Sequence, residues 1–391
     1  MMDRGILGSA GAPGLAAAVA QAAAAHGLGR IDKLSGLALY AGAGMRRARA
    51  RLPGSTVLLG DHFSDGSFSV EWGNYLKFSA GAGKPVEISR APLTGMPLYW
   101  CRARGGLLIF SHLELIRGLD IDVGLDGDFL RHLLAYSNHR IARTGLTGIE
   151  ELLAGTRLAF SGDVTTVTPT WSPWPHARKG IYDRDAVPLL GSTIRKCVSA
   201  WAERRPQIML ELSGGLDSSI VAAALAAGGH EYAAATIATA SPDGDERRYA
   251  RAVAERCGAA LIEYVHDDSE LDLAAGPRFL SPRPATYGVL AGIDAALGAA
   301  TAQMPGASIF TGIGGDNVFA ITRSILPVID ALKTHEPLRR PAAALRDCAR
   351  LCDVTIWHAA RAVYRHWRRP PATGWPREDE YCWRPALPDA P

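Results

Sequence analysis

Residues 207–228 have the pattern of a strand, a glycine-rich turn and a helix, and this segment limits the possible fold of the chain more than any other. An apolar run at 208–212 has strand length, and the Ala-rich stretch from Ser218 ends at Gly228-Gly229, a helix stop signal. The turn between them reads Ser213-Gly214-Gly215-Leu216-Asp217-Ser218-Ser219. Its glycines let a ligand approach the backbone, and the free N–H groups of the following helix attract anions. The turn therefore predicts a phosphate-binding site.

Asp217 lies in the middle of this turn. A carboxylate there would repel phosphate unless a divalent cation lies between the two, so the turn predicts a magnesium–nucleotide site. A Walker-type loop is excluded because no Gly-Lys-Ser/Thr follows the glycines, and a dinucleotide fingerprint is excluded as well. The alternative is a glycine-rich turn that only connects a strand to a helix.

Length and composition indicate the number of domains and the broad class of protein. A chain of 391 residues with 48% hydrophobic content suffices for two domains. Its net charge of +3 is too small to indicate a nucleic acid partner, and the Arg-rich stretch at 339–369, with Trp357 and Trp367, is interpreted as a solvated helical face. The Ala-rich stretch at 10–25 is too weakly hydrophobic for a membrane span and lacks a long basic segment before it. We expect a cytoplasmic protein.

Two patterns that resemble metal sites are better explained otherwise. The six cysteines lack paired metal-ligand spacing, although Cys348 and Cys352 lie four apart on a predicted helix. Free buried thiols in a reducing compartment are the favoured interpretation. The acidic run at 120–128 lacks the spacing of a calcium loop, so it predicts an exposed turn before a helix at Phe129.

The amino-terminal half has the pattern of a β domain. Short β-type runs occur at 55–60, 68–72, 74–79, 86–89, 98–102 and 107–111. Regular short strands separated by Gly, Asp and Pro predict an antiparallel two-sheet sandwich with helices on its faces. The Pro-containing segment 172–184 predicts a linker, which gives domains 1–171 and 185–391.

Beyond the linker, strand and helix patterns alternate. Strands are predicted at 208–212, 233–238, 260–265 and 308–311, and helices at 185–202, from Ser218, at 245–257 with Gly258 closing it, and at 287–302. This alternation predicts a parallel sheet with helices on both faces and ligands at the carboxyl ends of its strands. Three loops occupy such ends, at 213–219, 239–246 and 311–319.

The turn at 213–219 resembles the pyrophosphate loop of ATP pyrophosphatases, in the form typical of the asparagine synthetase family. Thr311-Gly-Ile-Gly-Gly-Asp316 looks like the second nucleotide motif of that family, and segments at 95–116 and 129–156 are similar to its amino-terminal class II glutamine amidotransferase. The resemblance implies an α/β fold. It consists of an antiparallel sandwich of the N-terminal-nucleophile (Ntn) amidotransferase type and a parallel-sheet domain of the adenine nucleotide α-hydrolase type.

The resemblance implies ATP and Mg²⁺ as cofactors. It assigns catalysis and magnesium binding to Asp217 and Asp316. It assigns ATP or pyrophosphate binding to Ser213, Gly214, Gly215, Leu216, Asp217, Ser218, Ser219, Ile237, Thr311 and Gly312. The loop at 239–246 would pass the adenine, where Asp245 also fits as a helix cap. The family chemistry is activation of a carboxylate as an acyl-adenylate, with pyrophosphate leaving, followed by attack of an amine.

Two differences from the family pattern reduce the number of family activities that this chain can be expected to have. The family hydrolyses glutamine with an amino-terminal cysteine, whereas residues 1–4 read Met-Met-Asp-Arg and the first cysteine is Cys101. We therefore expect a degenerate amidotransferase domain without glutaminase activity. Ile313 replaces a Glu that asparagine synthetases are thought to use in acid–base chemistry. This combination looks more like the macrolactam synthetases of lasso-peptide biosynthesis.

The favoured hypothesis is an AMP-forming carbon–nitrogen ligase that closes an isopeptide ring in a ribosomally made precursor peptide. An Asp or Glu side chain of the peptide would be adenylated and attacked by the peptide's own N-terminal amine. A leader peptidase and a leader-recognition protein would be further partners. The alternatives are an asparagine synthetase that uses ammonia or glutamine, a ligase like β-lactam synthetase, and a catalytically silent nucleotide-binding scaffold.

The carboxyl-terminal part departs from the family as well. In the family, a lysine that steadies the charged intermediate lies in a helical segment well beyond the Gly-Gly-Asp loop. Here the only lysine after Asp217 is Lys333, and the chain ends at Pro391. We expect Lys333 to be a surface cation near the end of the first helix after the loop, and the synthetase domain to be truncated at its carboxyl end.

Overall fold

The computed structural model describes residues 4–31, 34–47, 55–64, 71–93, 95–136, 139–177, 183–239, 245–266, 280–284, 287–316, 324–333 and 339–368. Contacts divide the chain into two units. The first comprises Met1–Gly191 and Ser269–Gly292, and the second comprises Ser192–Asp268 and Ile293–Pro391. The first unit is built on antiparallel sheets and the second on a parallel sheet, which confirms the predicted α/β class.

The first unit contains strands β1 to β11. They are Ile6–Ala10, Gly29–Ile31, Leu37–Ala41, Thr56–Ser64, Glu71–Ser79, Val86–Arg90, Tyr99–Ala103, Gly106–Phe110, Glu150–Glu151, Thr156–Ser161 and Val164–Pro169. One sheet has the order β2-β3-β1-β8-β7-β9 and the other β11-β10-β6-β5-β4, and neighbouring strands within each sheet are antiparallel. The run predicted at 74–79 belongs to the longer β5, while residues 68–70 of the run at 68–72 lie outside the described residues.

Alternation along the strands builds the core of this unit. Ile6 on β1 lies in a cluster with side chains of both sheets, such as Leu39 of β3 and Phe78 of β5, so this cluster fills the space between the sheets. Leu7, the next residue, points the other way and packs with Leu15 and other residues of helix α1 (Pro13–Ala25). Successive side chains of a strand point to opposite faces, which explains this division. The predicted sandwich with a helix on one face is therefore present.

The remaining helices of this unit are short, except the last. They are a 3₁₀ helix at Leu113–Ile116, α2 at Gly127–Ala135, α3 at Trp174–Ala177 and the start of α4 at Asp183–Ala202. The predicted linker thus contains a helical turn. The helix predicted at Phe129 begins at Gly127, after an exposed segment at 122–125, and Asp126 caps it by accepting a hydrogen bond from the Phe129 N–H at 2.9 Å. A hydrogen bond from Arg143 lowers the pKa of Asp126.

A buried carboxylate explains why contacts group residues after 268 with the first unit. Glu151 on β9 is fully buried and accepts hydrogen bonds from Arg90 at 2.7 Å, Arg140 at 2.7 Å and Arg283 at 2.6 Å. Arg283 belongs to segment 280–284, far along the chain from the other three. The sequence pattern gave no sign of this long-range ion pair, so the predicted division at 172–184 did not anticipate it.

The second unit has one parallel sheet and several helices. Strands β12 to β15 are Ile208–Glu211, Ala233–Thr239, Ala260–His266 and Ser308–Phe310, in the order β14-β13-β12-β15. Helices α5 to α10 are Leu216–Ala227, Arg247–Cys257, Tyr287–Ala302, Leu326–Lys333, Arg339–Leu351 and Ile356–Trp367. The predicted strands and helices agree with these to within two residues. Gly258, with φ +69°, closes α6 as predicted.

Helices cover both faces of this sheet. Leu210 of β12 packs in a cluster with Leu225 of α5 and Ala254 of α6, whereas Met209 packs with Ala300 of α7 on the other face. Both faces are apolar because a parallel sheet in an α/β unit is covered on both sides. The carboxyl edge of the strands is left for the loops.

Membrane and thiol predictions are tested only in part. Within the described ranges, no helix combines the length and apolar character needed to cross a membrane. The five cysteines of the described chain are free thiols, and Cys101 and Cys348 among them are buried.

Candidate active site

Two of the predicted loops begin at neighbouring strand ends. β12 and β15 are adjacent and parallel, with Leu210 paired to Phe310. The loop at 213–219 follows β12, and Thr311 to Asp316 follow β15. Because the carboxyl ends of parallel strands meet at one edge of a sheet, both loops start at the same edge.

The glycines of the second loop bring the two loops into contact. A Cβ added at Gly315 would overlap the carboxyl group of Asp217, and one added at Gly312 would lie 2.5 Å from the backbone nitrogen of Ser218. Real side chains do not approach other atoms so closely. A side chain at 312 would therefore overlap the α5 backbone, whereas one at 315 would displace the Asp217 carboxyl group. The loop after β15 therefore passes directly over the first turn of α5, and the two loops form one site.

Hydrogen bonds within the first loop fix its shape. The Gly215 N–H donates to the Ser213 hydroxyl at 3.1 Å, and that hydroxyl lies 3.1 Å from the Ser218 hydroxyl. Gly214 has φ +83°, and a Cβ there would overlap the backbone of Tyr249 on α6. Gly215 is the N-cap of α5 and has no side chain with which to cap this helix. The N–H groups of its first turn are thus open to an anion.

The helix begins earlier than predicted. α5 starts at Leu216 rather than Ser218, because Gly215 already has the extended backbone of an N-cap. Asp217 and Ser218 are therefore residues of its first turn, where the positive end of the helix dipole is strongest. Ser218 is buried and Asp217 is half-buried. The Ser219 hydroxyl is buried and has no hydrogen-bond partner among the described residues.

The other predicted residues lie at the same edge of the sheet but differ in exposure. Thr311 accepts a hydrogen bond from the Ile313 N–H at 3.2 Å, and the Ile313 side chain is 82% exposed. Asp316 is exposed. Ile237 is half-buried near the end of β13, the strand next to β12, and pairs with Tyr264 of β14. It is not part of the contact between the two loops.

The residues at this contact fit a magnesium ion shared with a nucleotide. Mg²⁺ is usually held by one or two carboxylates together with substrate phosphates and water. Asp217 and Asp316 supply two carboxylates on touching loops, and the Asp217 carboxyl group packs against the backbone of Gly315, the residue before Asp316. No group of three or more His, Cys, Asp or Glu residues occurs in the described part of the chain, so a cage made by protein ligands alone is not found there.

The loop predicted to pass the adenine is described only at its end. Residues 240–244 lie outside the described residues. Asp245 accepts a hydrogen bond from the Arg247 N–H at 3.1 Å and pairs with the guanidinium of the same arginine at 2.7 Å. These hydrogen bonds lower the pKa of Asp245 to about 2. Asp245 thus satisfies a free N–H at the start of α6, as expected, and its role toward a nucleotide stays a prediction.

Two further charged residues, Lys333 and Glu211, are not part of the contact between the two loops. Lys333 is exposed in the last turn of α8, as expected of a surface cation near a helix end, but residues 317–323 between the loop and this helix lie outside the described residues. Glu211, the last residue of β12, was missed. Burial and the negative charge of Asp294 on α7 raise the pKa of Glu211, and one of its carboxylate oxygens is buried without a partner among the described residues. A carboxylate within an otherwise apolar strand was the available signal, since strands of parallel sheets are normally apolar throughout.

Comparisons with known proteins find a family similarity in the second half of the chain. A family model described as asparagine synthase matches residues 189–371. No curated protein is significantly similar to the chain. One solved structure, described as that of the allosteric regulatory enzyme of purine biosynthesis, covers 78% of this chain and 89% of its own at 10% identity, with a TM-score of 0.26. A likeness at that level supports no argument. Residues 189–371 are therefore similar to asparagine synthases, and this similarity supports, in general terms, an ATP-dependent ligase activity.

Proposed function

We propose that this protein is an AMP-forming carbon–nitrogen ligase that uses ATP and Mg²⁺ to activate a carboxylate and joins it to an amine. The observation that supports this best is the passage of Gly312 and Gly315 over Asp217 and Ser218 at the start of α5. In this contact the backbone next to Asp316 packs against the Asp217 carboxyl group in the first turn of α5. Such an arrangement suits a magnesium-bound pyrophosphate group.

In the first half-reaction, an oxygen of the substrate carboxylate attacks the α-phosphorus of ATP, and the bond to pyrophosphate breaks. The N–H groups of the first turn of α5 hold the leaving pyrophosphate, and the hydroxyls of Ser213 and Ser218 add donors beside them. Asp217 and Asp316 would hold the cation, whose charge offsets that of the leaving group. Amine attack on the acyl-adenylate then forms the amide and releases AMP.

A more specific proposal concerns the amine that attacks the acyl-adenylate. We take it to be the N-terminal amine of a precursor peptide, which attacks an adenylated Asp or Glu side chain of the same peptide to close a macrolactam. The exposed apolar Ile313 favours this over ammonia-dependent asparagine synthesis, because it supplies no acid–base group in the second loop. The reaction would take place in the cytoplasm, with a leader peptidase and a leader-recognition protein supplying the peptide.

The first unit fits a degenerate amidotransferase-like sandwich. Its only cysteine in the described ranges, Cys101, is buried on β7, and burial raises the pKa of this thiol to about 11. A thiol in that state is a poor nucleophile, since the thiolate is the reactive form. Glutamine hydrolysis by this residue is therefore not expected, and the unit would serve as a structural or docking domain.

Exchange of labelled pyrophosphate into ATP tests the ligase proposal. Asp217→Asn and Asp316→Asn should each lower magnesium- and substrate-dependent exchange by roughly 10²–10³-fold, the loss typical of one electrostatic catalytic group. Asp347→Asn is the matched control, because Asp347 is exposed on α9 and pairs only with Arg346 among the described residues. All three should melt like the wild type. Full exchange in both site variants would refute the two-loop site.

Product analysis separates the finer proposals. With ATP, Mg²⁺ and a cleaved precursor peptide, ring closure removes one water from the peptide and yields AMP and pyrophosphate in equal amounts. Formation of asparagine from aspartate and ammonia would instead support an asparagine synthetase. Nucleotide binding without exchange on any carboxylate would support a silent scaffold.

A further inference from the structure

Helices α8, α9 and α10 enclose an apolar groove in the second unit. Its volume is about 350 Å³, and Val328, Leu332, Leu345, Val363, Tyr364 and Trp367 are among the residues that line it. Tyr364 is 60% exposed and Trp367 is 55% exposed. The stretch at 339–369 was interpreted from the sequence as a solvated helical face, but it includes these exposed aromatic side chains. Exposed apolar surface of this kind marks a binding site for another segment.

A stripe of positive charge borders the groove. Arg361 and Arg365 on α10 and Arg368 at its C-cap follow one another at spacings of four and three, which places them on one side of the helix. All three are exposed, and within the described part of the chain Arg361 and Arg365 have no ion-pair partner. The Arg368 guanidinium lies 5.4 Å from the centre of the Tyr364 ring. The surface therefore fits a peptide that is both aromatic and acidic.

Such a peptide occurs a few residues beyond α10. Residues 375–383 read Trp-Pro-Arg-Glu-Asp-Glu-Tyr-Cys-Trp, with three consecutive acidic residues between aromatic ones. They lie outside the described residues. We propose that the groove between α8, α9 and α10 is an intramolecular docking site for residues 375–383, whose acidic residues pair with the arginine stripe and whose aromatic side chains enter the groove.

The length of the connection allows this contact. Six residues separate Arg368 from Trp375, and an extended chain spans about 3.3 Å per residue. The distance along α10 from Trp367 back to Ala360 is about 10 Å, at 1.5 Å per helical residue. A short tether also gives the segment an effective concentration on the order of mM, so weak contacts suffice for occupancy. This advantage favours the chain's own segment over a separate peptide.

Disulfide trapping in the full chain tests the proposal without any catalytic assay. Cys382 lies within the proposed segment, so an Ala360→Cys variant places a second thiol in the groove lining. His358→Cys is the matched control, because His358 is exposed on the same helix but two residues away, on the opposite side. Mild oxidation and peptide mapping should show severalfold more disulfide to Cys382 in the Ala360→Cys variant than in the control.

Charge dependence provides a second readout. Neutralising the acidic residues by Glu378→Gln, Asp379→Asn and Glu380→Gln should lower the yield of that disulfide severalfold, and raising the salt concentration should do the same. An excess of a synthetic peptide with the sequence of residues 375–383 should compete. Thermal melting checks that each variant is folded.

Three results would overturn the proposal. The first is equal disulfide formation at both engineered positions. The second is a disulfide between two protein molecules, which would make a second copy the occupant. The third is competition by a short oligonucleotide as strong as that by the acidic peptide, which would assign the arginine stripe to nucleic acid.

Discussion

Gly315→Ala isolates the contact that unites the two loops. The substitution adds one methyl group, and in the structure that methyl would overlap the Asp217 carboxyl group. The backbone of Gly315 is not in the left-handed region, so alanine is allowed there by its dihedral angles. Any effect of the variant must therefore come from displacement of Asp217 or of the loop itself.

The expected magnitudes differ for activity and stability. Rotating Asp217 away from its present position costs about 0.5–1.5 kcal/mol if it must leave a favourable rotamer. A loss of about 1 kcal/mol lowers Tm by about 2–4 °C in a domain of roughly this size. A misplacement of about 1 Å at a reacting centre reduces rate by about 10²-fold. We therefore expect a large loss of exchange with a small loss of stability.

The assay is magnesium-dependent exchange of pyrophosphate into ATP, measured beside thermal melting. Gly298→Ala on α7 is the control, because a methyl group there meets no atom within 4 Å and alanine favours the helix. It should keep full exchange and melt no lower than the wild type. If Gly315→Ala exchanges at the wild-type rate with the same magnesium dependence, the contact has no catalytic role and the reasoning is refuted.

Two pH-dependent predictions concern buried carboxylates. Burial would raise the pKa of Glu151, but hydrogen bonds from Arg140 and Arg90 outweigh it and lower the pKa. Glu151→Gln should cost about 3–5 kcal/mol at pH 7 in urea unfolding, because it leaves the buried Arg90 without a counter-charge. The difference in free energy of unfolding between the wild type and Glu151→Gln should shrink only below about pH 4.3, because Glu151 itself is then protonated. A difference that stays constant down to pH 3 would contradict this. Burial and Asp294 raise the pKa of Glu211, so Glu211→Gln should match the wild type near pH 4 and be the more stable protein at pH 8. Equal stability at both pH values would contradict this.

The local pattern of residues was sufficient to predict the four strands of the second unit and the helices between them, but not the bounds of α8, α9 and α10. The apolar run at 208–212, the two glycines after Ser213 and the Ala-rich helix specify a strand, a tight turn and a helix through short-range preferences alone. The helix stop at Gly258 and the hydrogen bond from the Arg247 N–H to Asp245 depend on neighbours within four residues, so they too were predictable, although the N-cap itself is Glu246. Strand and helix alternation predicted that the loops after β12 and β15 would share an edge.

Contacts between distant residues were decided only by the tertiary structure. The sequence predicted Asp217 and Asp316 as partners but not the passage of Gly315 over the Asp217 carboxyl group. It gave no sign that Arg283 pairs with Glu151 across more than a hundred residues, or that Glu211 lies near Asp294. Periodicity specifies which face of an element is apolar. It does not specify which side chains meet across two elements, because that depends on strand order, register and the packing of helices against the sheet.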